Sequence, residues 1–347
     1  MIDDLLVLGL AVLLAVPLAW AFRHLPGERW QFLAAVPGTR PGADGAWEGT
    51  NYTFYGLFVA SSSLAGMLVF IFLLGALAVR PLAAVLIIAG LVTVTLPAAG
   101  MVARIVEKKR YTFTVGGASF IGLLLVPWLT LLVSRLLGGE APVMPVLAAI
   151  GVGYAFGEGL GRLACISFGC CYGKPLDRVH PRLRRFVRPW AFVFRGPTKK
   201  IAYADGLDGR AVVPIQAVTS VIYLLSGLAG FHLALNGHLV PAFLCTIVVT
   251  QGWRFLSEFL RDDERGAQRV SAYQVMALIA LAYGVALAVA FPCGPASAAD
   301  LARGARALWN PGMLLFCQVL WLAIFLRTGR SRVTASRISF RVLRDRV

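Results

Sequence analysis

The chain alternates between long apolar stretches and segments rich in charged, glycine and proline residues. Nine stretches are long enough to cross a bilayer, because the hydrocarbon core takes about 20 helical residues. Backbone polar groups in lipid must be hydrogen-bonded within their own segment, so each stretch predicts a helix. We therefore predict an all-α integral membrane protein, a polytopic bundle around a lipid-accessible cavity. The predicted spans lie at roughly 3–22, 53–78, 81–103, 113–136, 143–168, 213–235, 239–260, 271–291 and 309–327.

Composition also indicates that lipid surrounds most of the chain. Of its 347 residues, 58% are hydrophobic and 14% are charged, whereas soluble domains carry about a quarter charged residues. The first apolar stretch follows Asp3 and Asp4, where a cleaved signal peptide needs positive charge. We interpret that stretch as a retained membrane helix.

Two connections between the predicted helices stand out. Residues 23–50 contain proline, glycine and aromatic side chains, which indicates a segment at the membrane interface. Residues 172–212 form a connection of about forty residues, a length typical of a functional loop or a small domain. That second connection is strongly basic, with Lys174, Arg178, Arg182, Arg184, Arg185, Arg188, Arg195, Lys199, Lys200 and Arg210.

The basic residues are concentrated on one side of the predicted bundle. Nine crossings place 27 of the 33 Lys and Arg residues on the face that carries residues 172–212, which we call the basic face. The opposite face has only Arg80, Arg135, Arg303 and Arg306. The net charge is +16, and most of the basic residues lie in segments between the apolar stretches. We therefore expect an anionic phospholipid as partner and no nucleic acid. The positive-inside rule would put the basic face in the cytoplasm.

Charged residues also occur within two predicted helices. Glu158 and Arg162 are four residues apart and share one helix face. Arg254, Glu258 and Arg261 follow at intervals of four and three residues and also share a face. Intramembrane charges are costly and mark a functional site by default. A guanidinium is a planar fork that suits a phosphodiester, so packed together the two helices would form a phospholipid site. The alternative is that these charges only pair with each other and hold the helices together.

Three cysteines lie close together at the end of one of these helices. The spacing of Cys165, Cys170 and Cys171 does not match the usual paired zinc ligands, and a second pair is missing although His180 is near. We therefore predict no metal and no cofactor. A vicinal Cys170–Cys171 disulfide, a redox thiol and plain packing all remain open.

Several short motifs occur in the order found in one family. The chain resembles the bacterial prolipoprotein diacylglyceryl transferases over roughly residues 51–291, so segments 1–50 and 292–347 would be additions that each carry one extra helix. The motifs are YGLF at 55–58, GGASF at 116–120, GRLACISFGCCYGKP at 161–175, VPIQ at 213–216 and WRFLSEFLR at 253–261.

The resemblance implies a reaction and a location. The family transfers diacylglycerol from phosphatidylglycerol to the cysteine thiol of a lipoprotein precursor, in the bacterial inner membrane, with its active site and long loop outside. The resemblance implies catalytic roles for Arg162, Arg254 and Glu258. The residues expected to bind phospholipid are Tyr55, Gly173, Gln216 and Arg261.

The chain departs from the family at three polar positions. Ile121 stands where the family has a histidine, and Cys165 and Cys170 stand where it has asparagine and glutamate. A thiol role for the two cysteines is one hypothesis; the other is that the chain binds anionic phospholipid without catalysis. Long loops can be translocated regardless of charge, so we favour the family orientation over the positive-inside rule.

Overall fold

The computed structural model describes residues 2–106, 115–139, 142–263, 270–294 and 298–347. Within these ranges, nine helices are long and apolar enough to cross a membrane, which confirms the predicted polytopic bundle. All helices except α6, α7 and α11 belong to this set. The helices are α1 (Ile2–His24), α2 (Phe54–Ala76), α3 (Pro81–Val106), α4 (Val115–Leu136), α5 (Val143–Phe168), α6 (Pro181–Val187), α7 (Lys200–Asp205), α8 (Ile215–Leu235), α9 (Leu239–Ser257), α10 (Ala272–Ala290), α11 (Leu301–Leu308) and α12 (Pro311–Gly329).

The helix ends depart from the predicted spans where local chemistry intervenes. Helix α8 does not begin at the predicted residue 213, because Pro214 disfavours helical backbone at the residue before it; Pro214 is the N-cap and the helix begins at Ile215. Helix α9 ends at Ser257, and Glu258–Leu260 continue as a single tighter 3₁₀ turn. The first residues of the predicted span 113–136 lie outside the described residues.

Helix α5 lies at the centre of the bundle and packs against α2, α8 and α9. Its contact with α2 depends on glycine, since a Cβ at Gly153 would lie 2.7 Å from the carbonyl oxygen of Gly66. A Cβ at Gly66 would in turn lie 2.6 Å from the carbonyl oxygen of Gly153. Small residues let membrane helices approach this closely and gain van der Waals contact.

Strands on the basic face join the two ends of the chain. The expected interfacial segment 23–50 contains β1 (Phe32–Pro41), and β2 (Trp47–Thr53) follows it as an antiparallel hairpin. After β3 (Phe192–Val193) and β4 (Ala211–Val212), the tail contributes β5 (Arg330–Ile338). Strand β2 lies between β1 and β5 in a three-stranded sheet. The predicted additions at either end therefore form one structure with the start of α2.

The long basic connection folds as a small unit over the basic face. Strands β3 and β4 pair antiparallel, and Leu176, Val187 and Val213 form a small apolar cluster of their own. Residue pairing also joins Gly173 to Arg261. The connection is therefore a folded head, as its length suggested, and it holds the end of α5 close to the end of α9.

A buried lysine fastens this head to the first helix. Lys199 is fully buried, and its Nζ donates to the carbonyl oxygens of Leu25 at 3.2 Å and Ser167 at 2.6 Å. Burial lowers the pKa of Lys199 to about 8, although Glu28 acts in the opposite direction. The lysine thus joins the ends of α1 and α5 at the cost of holding a charge away from water.

Candidate phospholipid site

One face of α5 carries three polar side chains at helical spacing. Tyr154, Glu158 and Arg162 follow each other at intervals of four residues, so they lie on one stripe. Glu158 and Arg162 form an ion pair, and their side chains are 6% and 12% exposed. Arg162 Nε is buried without a hydrogen-bond partner among the described residues. A buried donor in this state is rare and points to a missing partner.

The second arginine, Arg254, is held by neutral groups. Its Nη1 donates to Ser119 Oγ at 3.0 Å and to the Tyr154 hydroxyl at 3.1 Å. Its other branch lies against the backbone of α4, where a Cβ at Gly116 would come within 2.6 Å of Arg254 Nη2. Among the described residues, no carboxylate forms a salt bridge with Arg254, so hydroxyls orient its charge without neutralising it.

The third arginine is already occupied. Arg261 forms a two-pronged contact with Asp263, through Nε and Nη2 at 2.8 Å each, and its Nη1 lies 3.9 Å from Glu258 Oε1. Burial alone would lower the pKa of Arg261, but the carboxylate of Asp263 more than offsets this and raises that pKa well above its ordinary value. Glu258 also accepts a hydrogen bond from Ser271 Oγ at 3.1 Å.

These groups line one cavity of about 720 Å³. Both Arg162 and Arg254 border it, as expected for a shared site, and Tyr55, Glu258 and Arg261 border it too. Toward the middle of the bundle its walls are apolar, formed by Phe70, Ile88, Leu91, Leu96, Leu123 and Ile247. Since α5 and α9 both run toward the basic face, the charged groups lie at that end, and the cavity is polar at one end and apolar at the other.

Two expected ligand-binding residues have other positions. Neither Gly173 nor Gln216 is among the described residues that line the cavity. A Cβ at Gly173 would lie 2.4 Å from the carbonyl oxygen of Val213, so the glycine allows close backbone packing within the head. Gln216 Nε2 donates to the carbonyl oxygen of Cys170 at 3.0 Å. Both residues thus shape the loop beside the site, and Ile121 also lies outside the lining although Ser119 and Gly122 belong to it.

The end of α5 brings the three neighbouring cysteines together. The N–H of Gly169 donates to the Ile166 carbonyl, and the N–H of Cys170 donates to the Cys165 carbonyl at 3.0 Å. This is a Schellman motif, with Gly169 in the left-handed region at φ 71°. All three sulfur atoms of Cys165, Cys170 and Cys171 lie within 4.8 Å of one another, and all three residues border the cavity as free thiols.

Sequence reasoning missed several cavity residues. Tyr154 could have been found from its spacing to Glu158, since the two share a helix face. Ser119 lay within a recognised motif but carried no charge to mark it. Basic residues from the C-terminal segment also line the cavity: Arg327, Arg330 and Arg332. Arg330 and Arg332 lie two residues apart in β5, so they share one face of a strand that the sequence did not predict.

Comparisons with protein-family models, with curated proteins and with solved structures return no match for this chain. The diacylglyceryl transferase resemblance therefore stays a prediction based on the short motifs, and the geometry of the cavity carries the functional argument.

Proposed function

We propose that this protein is a membrane-embedded lipid transferase that moves a diacylglyceryl group from phosphatidylglycerol or another anionic phospholipid to an acceptor thiol or another acceptor. The observation that carries the proposal is the polarity of the single cavity that Arg162 and Arg254 share. A phosphodiester fits the guanidinium end, and acyl chains fit the apolar walls. The bacterial inner membrane and lipoprotein precursors, both implied by the sequence resemblance, belong to this proposal.

The two arginines have different parts in the proposed reaction. Arg254 is oriented by Ser119 and Tyr154 and keeps its full charge for a phosphate. Arg162 offers Nε, which has no partner among the described residues. Fixed charges in a water-poor site stabilise the negative charge that develops on a leaving group. Together the two arginines would hold the phosphodiester before the reaction and the departing phosphate after it.

The proposed chemistry is a displacement at a glycerol carbon. The acceptor sulfur forms a bond to that carbon, the carbon–oxygen bond to phosphate breaks, and glycerol phosphate leaves with the electron pair. The thiol proton passes to a carboxylate, for which Glu158 and Glu258 are the candidates at the cavity wall. Proton transfer to a positioned base is a common contribution to such reactions.

A second candidate function is binding of anionic phospholipid without turnover. The observation that favours it is that no histidine is among the described residues that line the cavity. The cavity would then keep its phosphate-binding arginines but lack the usual general base near neutral pH. Sensing or assembly of a lipid complex would be the outcome of binding alone.

A reconstitution experiment separates these functions. Purified full-length protein in phosphatidylglycerol vesicles is incubated with a cysteine-containing lipobox peptide, and the peptide mass and released glycerol phosphate are measured. We expect a diacylglyceryl thioether peptide and one glycerol phosphate for each. Lipid that co-purifies and is lost on Arg254→Ala, with no thioether formed, would instead support the binding function. Absence of both lipid binding and turnover would overturn both functions.

A further inference from the structure

The structure brings together three sulfur atoms that the sequence leaves at irregular spacing. Cys165 and Cys170 occupy the two positions that meet across a Schellman motif, where a hydrophobic contact is usual. The third sulfur arrives because Cys171 adopts φ +56°. A non-glycine residue rarely takes this left-handed conformation, and such strain clusters at functional sites.

We propose that Cys165, Cys170 and Cys171 form a three-thiolate site for a thiophilic closed-shell cation of the Cu(I), Zn(II) or Cd(II) class. Cysteine sulfur favours soft cations of this kind over magnesium or calcium. The sequence predicted no metal because it offered no ligand pairs at zinc-finger spacing. The left-handed backbone at Gly169 and Cys171 brings the three sulfur atoms together, although their spacing in the sequence does not match a known ligand pattern. This proposal does not depend on the transferase proposal.

The distances suit one cation bound to all three sulfurs. A Zn–S bond is about 2.3 Å long, so three sulfurs around one ion lie roughly 4 Å apart. The three sulfur atoms already lie within 4.8 Å of one another. Sulfur movements of less than about an ångström, within normal rotamer freedom, close the difference. The three cysteines border the cavity, which offers a cation a route of entry.

The surroundings carry charge of the sign that such a site needs. Binding replaces three S–H bonds with three S–metal bonds and releases three protons, so three thiolates around a divalent cation carry a net charge of −1. Lys200 interacts electrostatically with Cys170 and Cys171, Arg261 with Cys171, and Arg162 with Cys165. Cationic groups therefore lie near the sulfur atoms, and two of them, Arg162 and Arg261, also pair with Glu158 and Asp263.

The backbone around the cluster is held in place by hydrogen bonds. Gln216 fixes the carbonyl of Cys170, and the N–H of Ile201 donates to the carbonyl of Gly169 at 3.0 Å. Hydrogen bonds of this kind around metal ligands orient them and add to affinity. In this interpretation Gln216 acts as a positioning residue for the cysteine cluster, since it does not line the cavity.

Metal titration of the full-length protein tests the proposal. The detergent-purified chain, kept reduced with a phosphine, is titrated with Cd²⁺ and with Zn²⁺ against a chromophoric chelator, and bound zinc is studied by X-ray absorption. We expect one equivalent bound with three sulfur neighbours. Each of Cys165→Ser, Cys170→Ser and Cys171→Ser should weaken binding more than roughly tenfold, since even loss of an outer-shell partner does so. Two of the three remaining cysteines provide matched controls, Cys245→Ser and Cys317→Ser, which should bind as the parent does.

The outcomes distinguish a metal site from packing. Binding that is absent in the parent, or that falls equally in the cluster and control variants, would overturn the proposal, as would a zinc shell without sulfur. Thermal unfolding without metal shows whether a cluster variant is folded. If a serine variant does not fold, Gln216→Leu and Cys170→Ala replace it. Metal affinity equal to that of the parent in both of these variants would overturn the site. No lipid is needed, so failure here leaves the transferase proposal standing.

Discussion

Arg254 and Arg261 illustrate how two half-buried arginines of one cavity come to differ in their partners. The guanidinium of Arg261 already donates two hydrogen bonds to the carboxylate of Asp263, whereas that of Arg254 donates to two hydroxyl groups. Replacement of Arg254 or Arg162 with alanine should lower transfer about 10²–10³-fold, by analogy with loss of one oxyanion donor. Lysine should rescue poorly because an ammonium cannot replace the two-pronged fork. The control is the exposed Arg188→Ala, and equal activity in all these variants would contradict the assignment.

Arg261 should respond differently to the same substitution. Because Asp263 already satisfies it, Arg261→Ala removes an ion pair whose side chains are only 9% and 10% exposed. Loss of one partner of such a pair costs up to about 3–5 kcal/mol of stability. We expect a lower midpoint of thermal unfolding for Arg261→Ala, with the double variant Arg261→Ala/Asp263→Ala recovering part of the loss. A variant of unchanged stability that loses only lipid affinity would assign phosphate binding to Arg261 instead.

Lys199 makes stability depend on alkaline pH. Its folded pKa of about 8 lies below the ordinary value of 10.5, so between these values the unfolded chain holds a proton that the folded chain has lost. Stability should therefore rise as the pH increases through this window, by up to about 3 kcal/mol. The check is the unfolding free energy of the parent minus that of Lys199→Met, measured from pH 7.5 to 10. A difference that stays constant with pH would contradict the buried charge.

At the residue scale, charged residues within apolar stretches were the features that the sequence alone could identify. The cost of placing Arg162 and Arg254 in lipid marks both as candidate site residues from the sequence alone, and both border the cavity. The expected roles of Gly173 and Gln216 came only from the family motifs, and their places in the head depend on packing against Val213 and Cys170. Cys171 could not be placed, because nothing in the letters of the chain indicates a left-handed backbone at that position.

Among the elements, the α2–α5 contact leaves little room for a larger side chain. A Cβ at Gly153 would meet the Gly66 carbonyl at 2.7 Å and Phe70 Cβ at 3.3 Å. Overpacking of a close contact costs about 1–3 kcal/mol, so Gly153→Ala should lower the midpoint of thermal unfolding. Gly252→Ala is the matched control, since a Cβ there meets nothing within 4 Å. It should leave stability unchanged or raise it by up to about 1 kcal/mol through helix propensity.

Strand β5 is the element that the sequence concealed most completely. Its partner β2 lies far away along the chain, and Thr50 pairs with Ala335. Local patterns predict helices well, because hydrogen bonds and membrane length act within one segment. They carry no information about which distant edge a strand will join. The interfacial segment 23–50 was recognised as unusual, but the pairing of residues 47–53 with the C-terminal segment was not foreseeable.

The pairing gives a direct cross-linking test. Thr50→Cys together with Ala335→Cys should be joined rapidly by a short bifunctional thiol reagent, because facing residues of antiparallel strands have Cβ atoms about 5 Å apart. Mass spectrometry of the joined peptides measures the yield. Thr50→Cys with Arg341→Cys, a pair outside the register, provides the control. Equal yields from the two pairs would show that the tail does not pair with β2.

At the scale of the whole molecule, the nine spans found in the described residues place the three-stranded sheet, the head and the polar end of the cavity on one face. Both the charge pattern and the element order agree on which segments share that face. They do not determine on which side of the membrane it lies. The positive-inside rule puts it in the cytoplasm, whereas transfer to a translocated lipoprotein precursor requires it outside.

An exposed native cysteine makes this orientation measurable. Cys293 lies on the opposite face and is exposed, and Arg184 is an exposed residue of the head. On the proposed function we expect an impermeant maleimide to label Arg184→Cys, in a Cys293→Ser background, in intact cells. The parent Cys293 should then react only after lysis. The reverse pattern would follow the charge asymmetry, remove lipoprotein precursors from the acceptors, and leave a cytoplasmic thiol or another cytoplasmic acceptor for the same cavity.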